Sequence, residues 1–470
     1  MRFLYLVILL IFLLFSGCNS SHGKKSSTVV VDENQSTQTK VQNQKIFGAV
    51  QPPEECTLIN RKKFVYDVMH DTYLWADETK EVDYTDDQRY PDEETLLDDL
   101  RNPRDRFSFI MDLKAYNDFF EAGKNVGFGI FFEPLVEDIN SSAQRVDALA
   151  LLLVYPGSPA DKAGLKRSDM IVALDNRTID EIYHDETLFN YYFETSEPIT
   201  VQFHLERSDS KEANVSVTKA EYNVKSVIKT SVSEVAGRKV GYLLFQSFVG
   251  SSEQELNTAF AQFQQEDIDD LVLDLRYNGG GYVYIARQLA SLVGGWYSSG
   301  KIFNQTLFNR KYSRYNSVTY FYYYLFRQLT LPRLYVITTG MTCSASELVI
   351  NSLRASAVGV EVIQIGTPTC GKPYAMIGDP YCDKYLLPVQ MKNTNADGTG
   401  DYVDGLAPVC KSKDDYLHDF ADPKEDSFAQ ALYYIENERC KPVVHAVRKR
   451  EQQLLPPAAT VTFRSRYGLY

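Results

Sequence analysis

The sequence predicts a multi-domain α/β protein, and three observations carry that reading. The chain has 470 residues, enough at roughly 100–200 residues per domain for about three domains and a sizeable core. Hydrophobic residues make up 44% and charged residues 24%, ordinary values that exclude wholesale disorder, collagen and a long coiled coil. From residue 242 to residue 365 short apolar runs alternate with segments of helical period, the pattern of parallel strands joined by crossover helices. The net charge of −13 argues against sequence-independent binding to phosphates, so no nucleic-acid partner is expected.

The elements follow in chain order. Arg2 is followed by an apolar run from Phe3 to Phe15 and the small pair Ser16 and Gly17, which predicts a signal peptide over 1–17. The run falls short of the roughly 20 residues a membrane-spanning helix needs. Leu14-Phe15-Ser16-Gly17-Cys18 resembles a bacterial lipoprotein cleavage box. The resemblance implies a lipid on Cys18 and an exported protein anchored in the cell envelope, facing the periplasm, with the outer membrane favoured because no Asp follows Cys18. Phe15 departs from the branched aliphatic usual at that place, and ordinary secretion is the alternative. Residues 18–50 are polar and read as a flexible tether. Six further cysteines, Cys56, Cys343, Cys370, Cys382, Cys410 and Cys440, suggest disulfides in an exported chain, with fifteen pairings open. No CxxC pair occurs, which argues against zinc.

Residues 51–122 are predicted as a small N-terminal helical domain: Phe64, Val65, Val68 and Met69 share one face, and Leu96, Leu97 and Leu100 another. It reads as a structural cap. From about 123 to 221 the pattern turns to β-like runs. Here Tyr155-Pro156-Gly157-Ser158-Pro159-Ala160, Ala163-Gly164-Leu165 and Ser168-Asp169-Met170-Ile171 are similar to the signature of PDZ domains in bacterial proteases, with Ser168 where a Gly is usual. A PDZ domain binds a polypeptide C-terminus by adding it as a strand to a sheet edge while loop N–H groups hold its carboxylate. Gly127-Phe128-Gly129-Ile130 fits that loop, or is a set of turn glycines before a buried strand.

Residues 222–440 carry the alternating pattern. Tyr242–Phe245, Leu271–Leu275, Arg333–Thr339 and Val360–Ile365 read as strands; a helix opens at a Ser252/Glu255 capping box, and others cover Tyr284–Val293 and Glu347–Arg354. Functional loops belong at the strand carboxyl ends. Three segments lie there. Asp274-Leu275-Arg276-Tyr277-Asn278-Gly279-Gly280-Gly281 brings backbone N–H groups close to a ligand; Gly340-Met341-Thr342-Cys343-Ser344-Ala345-Ser346-Glu347 exposes a hydroxyl at a helix N-terminus; Gly366-Thr367-Pro368-Thr369-Cys370-Gly371-Lys372 supplies a lysine. A serine hydroxyl is a poor nucleophile until a base takes its proton, and a lysine does so only as the neutral amine, which burial favours. His70, His184, His204, His418 and His445 are distant in sequence, and a Ser/His/Asp triad assembled from afar is the competing arrangement.

These three segments, in this order after a PDZ signature, are similar to the motifs of the C-terminal processing peptidases, or tail-specific proteases. The resemblance covers about residues 55–440. It implies a crotonase-like αβ protease core with the PDZ domain ahead of it, Ser344 as nucleophile, Lys372 as general base, and the backbone N–H groups of Ala345 and Gly280 as oxyanion donors. It implies polypeptide substrates recognised by their C-termini and no metal or organic cofactor. Two departures stand out: Met376 holds the place of a Gln that helps position the lysine in many members, and a further acidic residue has no counterpart near Ala355. Asn351 and Glu347 are candidates to support Lys372. A catalytically inactive peptide-binding protein on the same scaffold is the rival reading.

Other features have plainer readings. Ser344 and Ser346 suit a helix N-cap, Cys343 lacks the histidine motif of a thiol enzyme, and Arg276 and Asn278 suit shaping the glycine turn. The run Tyr320–Tyr324 with Phe326 reads as packing, Asn393–Asp401 as a surface turn without EF-hand spacing, and 441–470 as an Arg-rich tail of no assigned role.

Overall fold

The computed structural model describes residues 48–136, 145–323, 327–442 and 453–454. The signal peptide, Cys18, nearly all of the tether, His445, Tyr324, Phe326 and most of the tail lie outside the described residues.

The core is a six-stranded sheet in the order Val227–Val235, Arg238–Phe245, Asp270–Asp274, Arg333–Thr338, Glu361–Gly366, Cys410–Lys411. The first pair is antiparallel and every later pair parallel. Because strand side chains alternate, Leu243, Phe245, Leu271, Leu273 and Val336 face one side and meet the helices Ser252–Glu266, Val283–Ser298 and Ala345–Leu353. Tyr242, Leu244, Val272, Tyr335 and Ile337 face the other, where Phe428 of the helix Asp426–Asn437 and Phe131, Leu152 and Tyr155 cover them. Both faces are dry, which is why these strands read as unbroken apolar runs.

The Ser252/Glu255 capping box does not form. Ser252 Oγ donates to Ser247 O at 2.9 Å and accepts the Val249 N–H at 3.0 Å, while the Glu255 carboxylate accepts the N–H groups of Ser226 and Val227 at 2.9 and 2.8 Å. Glu255 therefore ties the helix to the strand entering the sheet, a long-range demand that overrides the local motif.

The 123–221 region is an antiparallel sheet, Ile130–Val136, Val146–Val154, Met170–Leu174, Thr200–Glu206, Glu212–Thr218 in spatial order, with its own core of Phe128, Leu149, Leu151, Ile171, Val201 and Phe203 among others. Ser168 has φ +75°, a conformation glycine adopts more readily, which accounts for the Gly usual there. In the loop 127–130, Gly129 has φ +77° and a Cβ there would lie 2.1 Å from Ser158 Cβ. The Phe128 carbonyl accepts the Ala160 N–H and the Gly129 carbonyl the Tyr155 N–H, both at 2.9 Å. The outer edge of Ile130–Val136 is not bare: Gln453 and Leu454 pair antiparallel with Val136 and Leu135.

The N-terminal part is less separate than the sequence suggested. Its helices Leu58–Asp71 and Glu93–Leu100 pack Phe64, Val65, Leu96 and Leu97 against Tyr374, Tyr381, Leu386 and Val389, and its strand Phe109–Asp112 pairs with Lys384–Leu387. Three disulfides, Cys56–Cys382, Cys343–Cys370 and Cys410–Cys440, use all six predicted cysteines. The aromatic run is only partly packing: Phe321 is buried against Phe303, while Tyr320 and Tyr323 are exposed. The predicted surface turn at 393–401 is shorter: Asn393 and Thr394 end the strand Val389–Thr394, buried and paired with Thr306 and Gln305, and in the turn that follows Asp397 accepts the Ser356 N–H and Asn395 binds Asn351. Among the described residues no helix is long and apolar enough to cross a membrane.

Candidate active site

The strand Arg333–Thr338 ends in the turn that carries Ser344, and its parallel neighbour Glu361–Gly366 ends in the loop that carries Lys372. Adjacent parallel strands deliver their carboxyl-end loops to one place. Ser344, Ala345, Gly281 and Lys372 accordingly line a single cavity of about 170 Å³. Its other walls are largely apolar and include Leu348, Tyr374, Met376, Leu387 and Tyr402.

Ser344 has φ +55° and ψ −111° and immediately precedes the helix Ala345–Leu353. A positive φ at a non-glycine residue is held only by its surroundings. Here the Glu347 carboxylate accepts the Ser344 N–H at 2.9 Å, Cys343 N–H donates to Asn278 O at 3.0 Å and Ser346 Oγ donates to Asn278 O at 3.1 Å. Ala345 is the first helical residue, so its N–H is one of the donors a helix leaves without an internal partner, at the positive end of the helix dipole.

The glycine segment lies against this turn. A Cβ on Gly280 would stand 2.9 Å from Ser344 Cβ and 3.1 Å from Ala345 N, so only glycine permits the approach. The Gly280 N–H, expected as an oxyanion donor, donates instead to Asn278 Oδ1 at 2.9 Å. Gly281, not Gly280, lines the cavity, and the bridge it makes with Phe248 uses Gly280 O and Tyr282 N–H rather than its own N–H. Sequence alone does not separate consecutive glycines, because the distinction lies in where Asn278 turns back. Asn278 Nδ2 also donates to Phe245 O at 2.9 Å, and Arg276 is held by Asp274, Glu425 and Asp414 at 2.7, 2.8 and 3.0 Å. Both residues shape the turn.

Lys372 is buried. Desolvation lowers its pKa to about 8, against the opposing pull of the Asp105 and Glu347 carboxylates. Its Nζ lies 3.6 Å from Met376 Sδ and 5.4 Å from the centre of the Phe107 ring. Glu347 supports the lysine through its backbone: the carboxylate accepts the N–H groups of Gly371 and Lys372 at 2.8 Å each and the Thr369 hydroxyl at 2.5 Å. Burial pushes the Glu347 pKa up while these donors pull it down. Asn351 belongs elsewhere, donating to Thr399 O at 2.8 Å. Among the described residues no histidine lines the cavity; His70 faces Tyr66 O at 2.9 Å and His418 faces Asp415 at 2.7 Å. Among the described residues the one cluster of metal-ligand type is Cys343, Glu347 and Cys370, and its two sulfurs are joined as a disulfide.

The sequence reading missed the cavity walls contributed from afar. Phe109, Tyr116 and Phe120 come from the N-terminal part, so that part is more than a cap. Tyr116 lies tilted against Tyr385, ring centres 4.0 Å apart. No local motif marks these residues.

Residues 239–404 match the peptidase family S41 description, and residues 60–109 match the S41 N-terminal domain. Over those two stretches the chain is similar to peptidase family S41. It is 27% identical over 228 residues to the carboxyl-terminal-processing protease of a Picosynechococcus species, covering 48% of this chain and 51% of that protein. It is 25% identical over 288 residues to the carboxy-terminal processing protease CtpA of Bacillus subtilis, covering 61% and 57%. The matched stretch thus spans about half the length of these relatives. A crystal structure of an S41 protease from Bacteroides fragilis superposes with a TM-score of 0.65 at 24% identity, covering 80% of this chain and 97% of that one, which shows the shared mixed α/β multi-domain fold. The two curated relatives are carboxyl-terminal processing proteases by name.

Proposed function

We propose that this chain is a serine endopeptidase of the C-terminal processing type, acting on exported or unfolded proteins. Ser344 attacks the scissile carbonyl, neutral Lys372 takes the hydroxyl proton and passes it to the leaving amine, and water then hydrolyses the acyl-enzyme. The N–H of Ala345 stabilises the oxyanion, with Gly281 as the second donor in place of Gly280. The observation that carries this reading is the convergence, in one cavity, of a serine at a helix N-terminus and a lysine whose burial keeps its pKa near 8.

The 123–221 region acts as a PDZ domain that takes a substrate C-terminus along the edge of Ile130–Val136, its carboxylate held by N–H groups of the loop 127–130. Support comes from that edge's pairing with an antiparallel strand, Gln453–Leu454, and from the fixed backbone of Phe128 and Gly129. Export and lipid anchoring through Cys18 to the envelope complete the proposal; three disulfides suit an oxidising compartment.

The test is degradation of a permanently unfolded protein with and without an apolar C-terminal tag. The proposal expects cleavage by wild type, none by Ser344→Ala, and slower cleavage without the tag. Tag binding by wild type with no cleavage at any pH from 6 to 10 would favour the inactive peptide-binding alternative.

A further inference from the structure

We propose that the Cys343–Cys370 disulfide is a positioning element of the active site, a covalent tie holding the turn of Ser344 against the loop of Lys372. The inference rests on the Ser344/Lys372 reading and extends it. Cys343 immediately precedes the serine, and Cys370 lies two residues before the lysine. Their Cα atoms are 5.2 Å apart across a sequence separation of 27.

The two turns leave adjacent strands, and what otherwise joins them is a set of hydrogen bonds. Cys370 N–H donates to Thr342 O at 3.0 Å, and the Glu347 carboxylate spans from Ser344 N–H to the N–H groups of Gly371 and Lys372. Each of these can open singly as the backbone fluctuates. A proton transfer between the two side chains depends on sub-ångström placement of both turns together, and a misplacement of about 1 Å costs on the order of a hundredfold in rate. The disulfide crosses the same gap and cannot open without chemistry. On its far side Arg106 Nη2 donates to Cys370 O at 2.5 Å and to Val403 O at 3.0 Å, so the lysine loop is held from both flanks. None of the three bridges itself lines the cavity, but Cys343–Cys370 joins the two turns that carry Ser344 and Lys372, whereas Cys56–Cys382 and Cys410–Cys440 join neither of them.

Cys343 is fully buried and Cys370 half-buried, so a small dithiol reaches the bond from the Cys370 side. Reduction transfers two electrons and two protons: the protein disulfide becomes two thiols, and the dithiol becomes its own cyclic disulfide. The tie is lost while the sheet that carries both turns remains.

The experiment compares wild type, Cys343→Ser/Cys370→Ser and Cys410→Ser/Cys440→Ser, each with and without dithiothreitol, well below their melting temperatures. It reads kcat and KM on a fluorogenic peptide, and the rate at which a fluorophosphonate labels Ser344. Losing the Cys343–Cys370 bond should lower kcat and the labelling rate by about ten- to a hundredfold with KM within about twofold, and reoxidation of reduced wild type should restore the rate. The Cys410/Cys440 variant should melt earlier yet keep its kcat. An unchanged labelling rate in Cys343→Ser/Cys370→Ser overturns the tie alone. An oxidised wild type with no Ser344-dependent labelling overturns the peptidase reading, and the catalytic role of the tie falls with it.

Discussion

At the scale of single residues, Lys372 shows how function and stability oppose each other. An unfolded lysine titrates near about 10.4, whereas burial lowers Lys372 to about 8. Below pH 8 the folded chain must hold an ammonium in a desolvated place. Between about 8 and 10.4 the unfolded state binds more protons than the folded one, so stability from this group rises with pH across that window. Lys372→Met should therefore abolish cleavage yet raise the melting temperature at pH 7, with the gain shrinking toward pH 10; thermal melts across pH check both. Met376 offers the amine only a weak sulfur acceptor at 3.6 Å. Met376→Gln would place a stronger carbonyl acceptor beside the ammonium, and the alkaline rise in activity should move to higher pH, whereas Met376→Leu should leave it in place or move it down. The lysine proposed as base and its irregular neighbour stand out in the sequence because each sits at a fixed offset within a motif. Which glycine to propose as oxyanion donor is not legible there, since it depends on the Asn278 side chain taking the Gly280 N–H.

At the scale of elements, the helix Ala345–Leu353 and the loop before Lys372 act as one unit through Glu347. Its carboxylate accepts three backbone N–H groups and one hydroxyl, all in buried surroundings. Glu347→Ala would leave those four donors without that partner, and at about 1–3 kcal/mol for each the loss should reach at least about 4 kcal/mol in urea unfolding, with activity falling more than the midpoint suggests because both turns loosen. The core strands could be read from the chain because they are buried on both faces and their apolar runs are uninterrupted. The Ser252/Glu255 motif misled for the complementary reason: a local pattern does not reveal that Glu255 has a better use 28 residues upstream, at Val227. The strand Phe109–Asp112 was hidden within helical surroundings, and its place beside Lys384–Leu387 is set by packing rather than by period.

Across the whole molecule, distant segments close around the first glycine motif. Arg276 is fully buried and bound by Asp274, Asp414 and Glu425, so the C-terminal part of the chain anchors the glycine turn that lies against Ser344. Removing one member of such a group strands the remaining charges and costs about 3–5 kcal/mol; Arg276→Met should lower the urea midpoint accordingly and lower the folded fraction before it touches the chemistry. Such contacts, like the cavity walls from Phe109, Tyr116 and Phe120 and the three disulfide pairings, join residues far apart in the chain, and nothing in local composition encodes them. What the motifs do encode is the chemistry at the end of the strands. The most direct test of that chemistry is the rate of fluorophosphonate labelling as a function of pH, with the labelled peptide identified by mass spectrometry. The account predicts label on Ser344, a rate rising to half its maximum near pH 8, and loss of that rise in Lys372→Ala. Label on another residue, or a rise centred near the ordinary histidine pKa of about 6.5 that survives in Lys372→Ala, would contradict it.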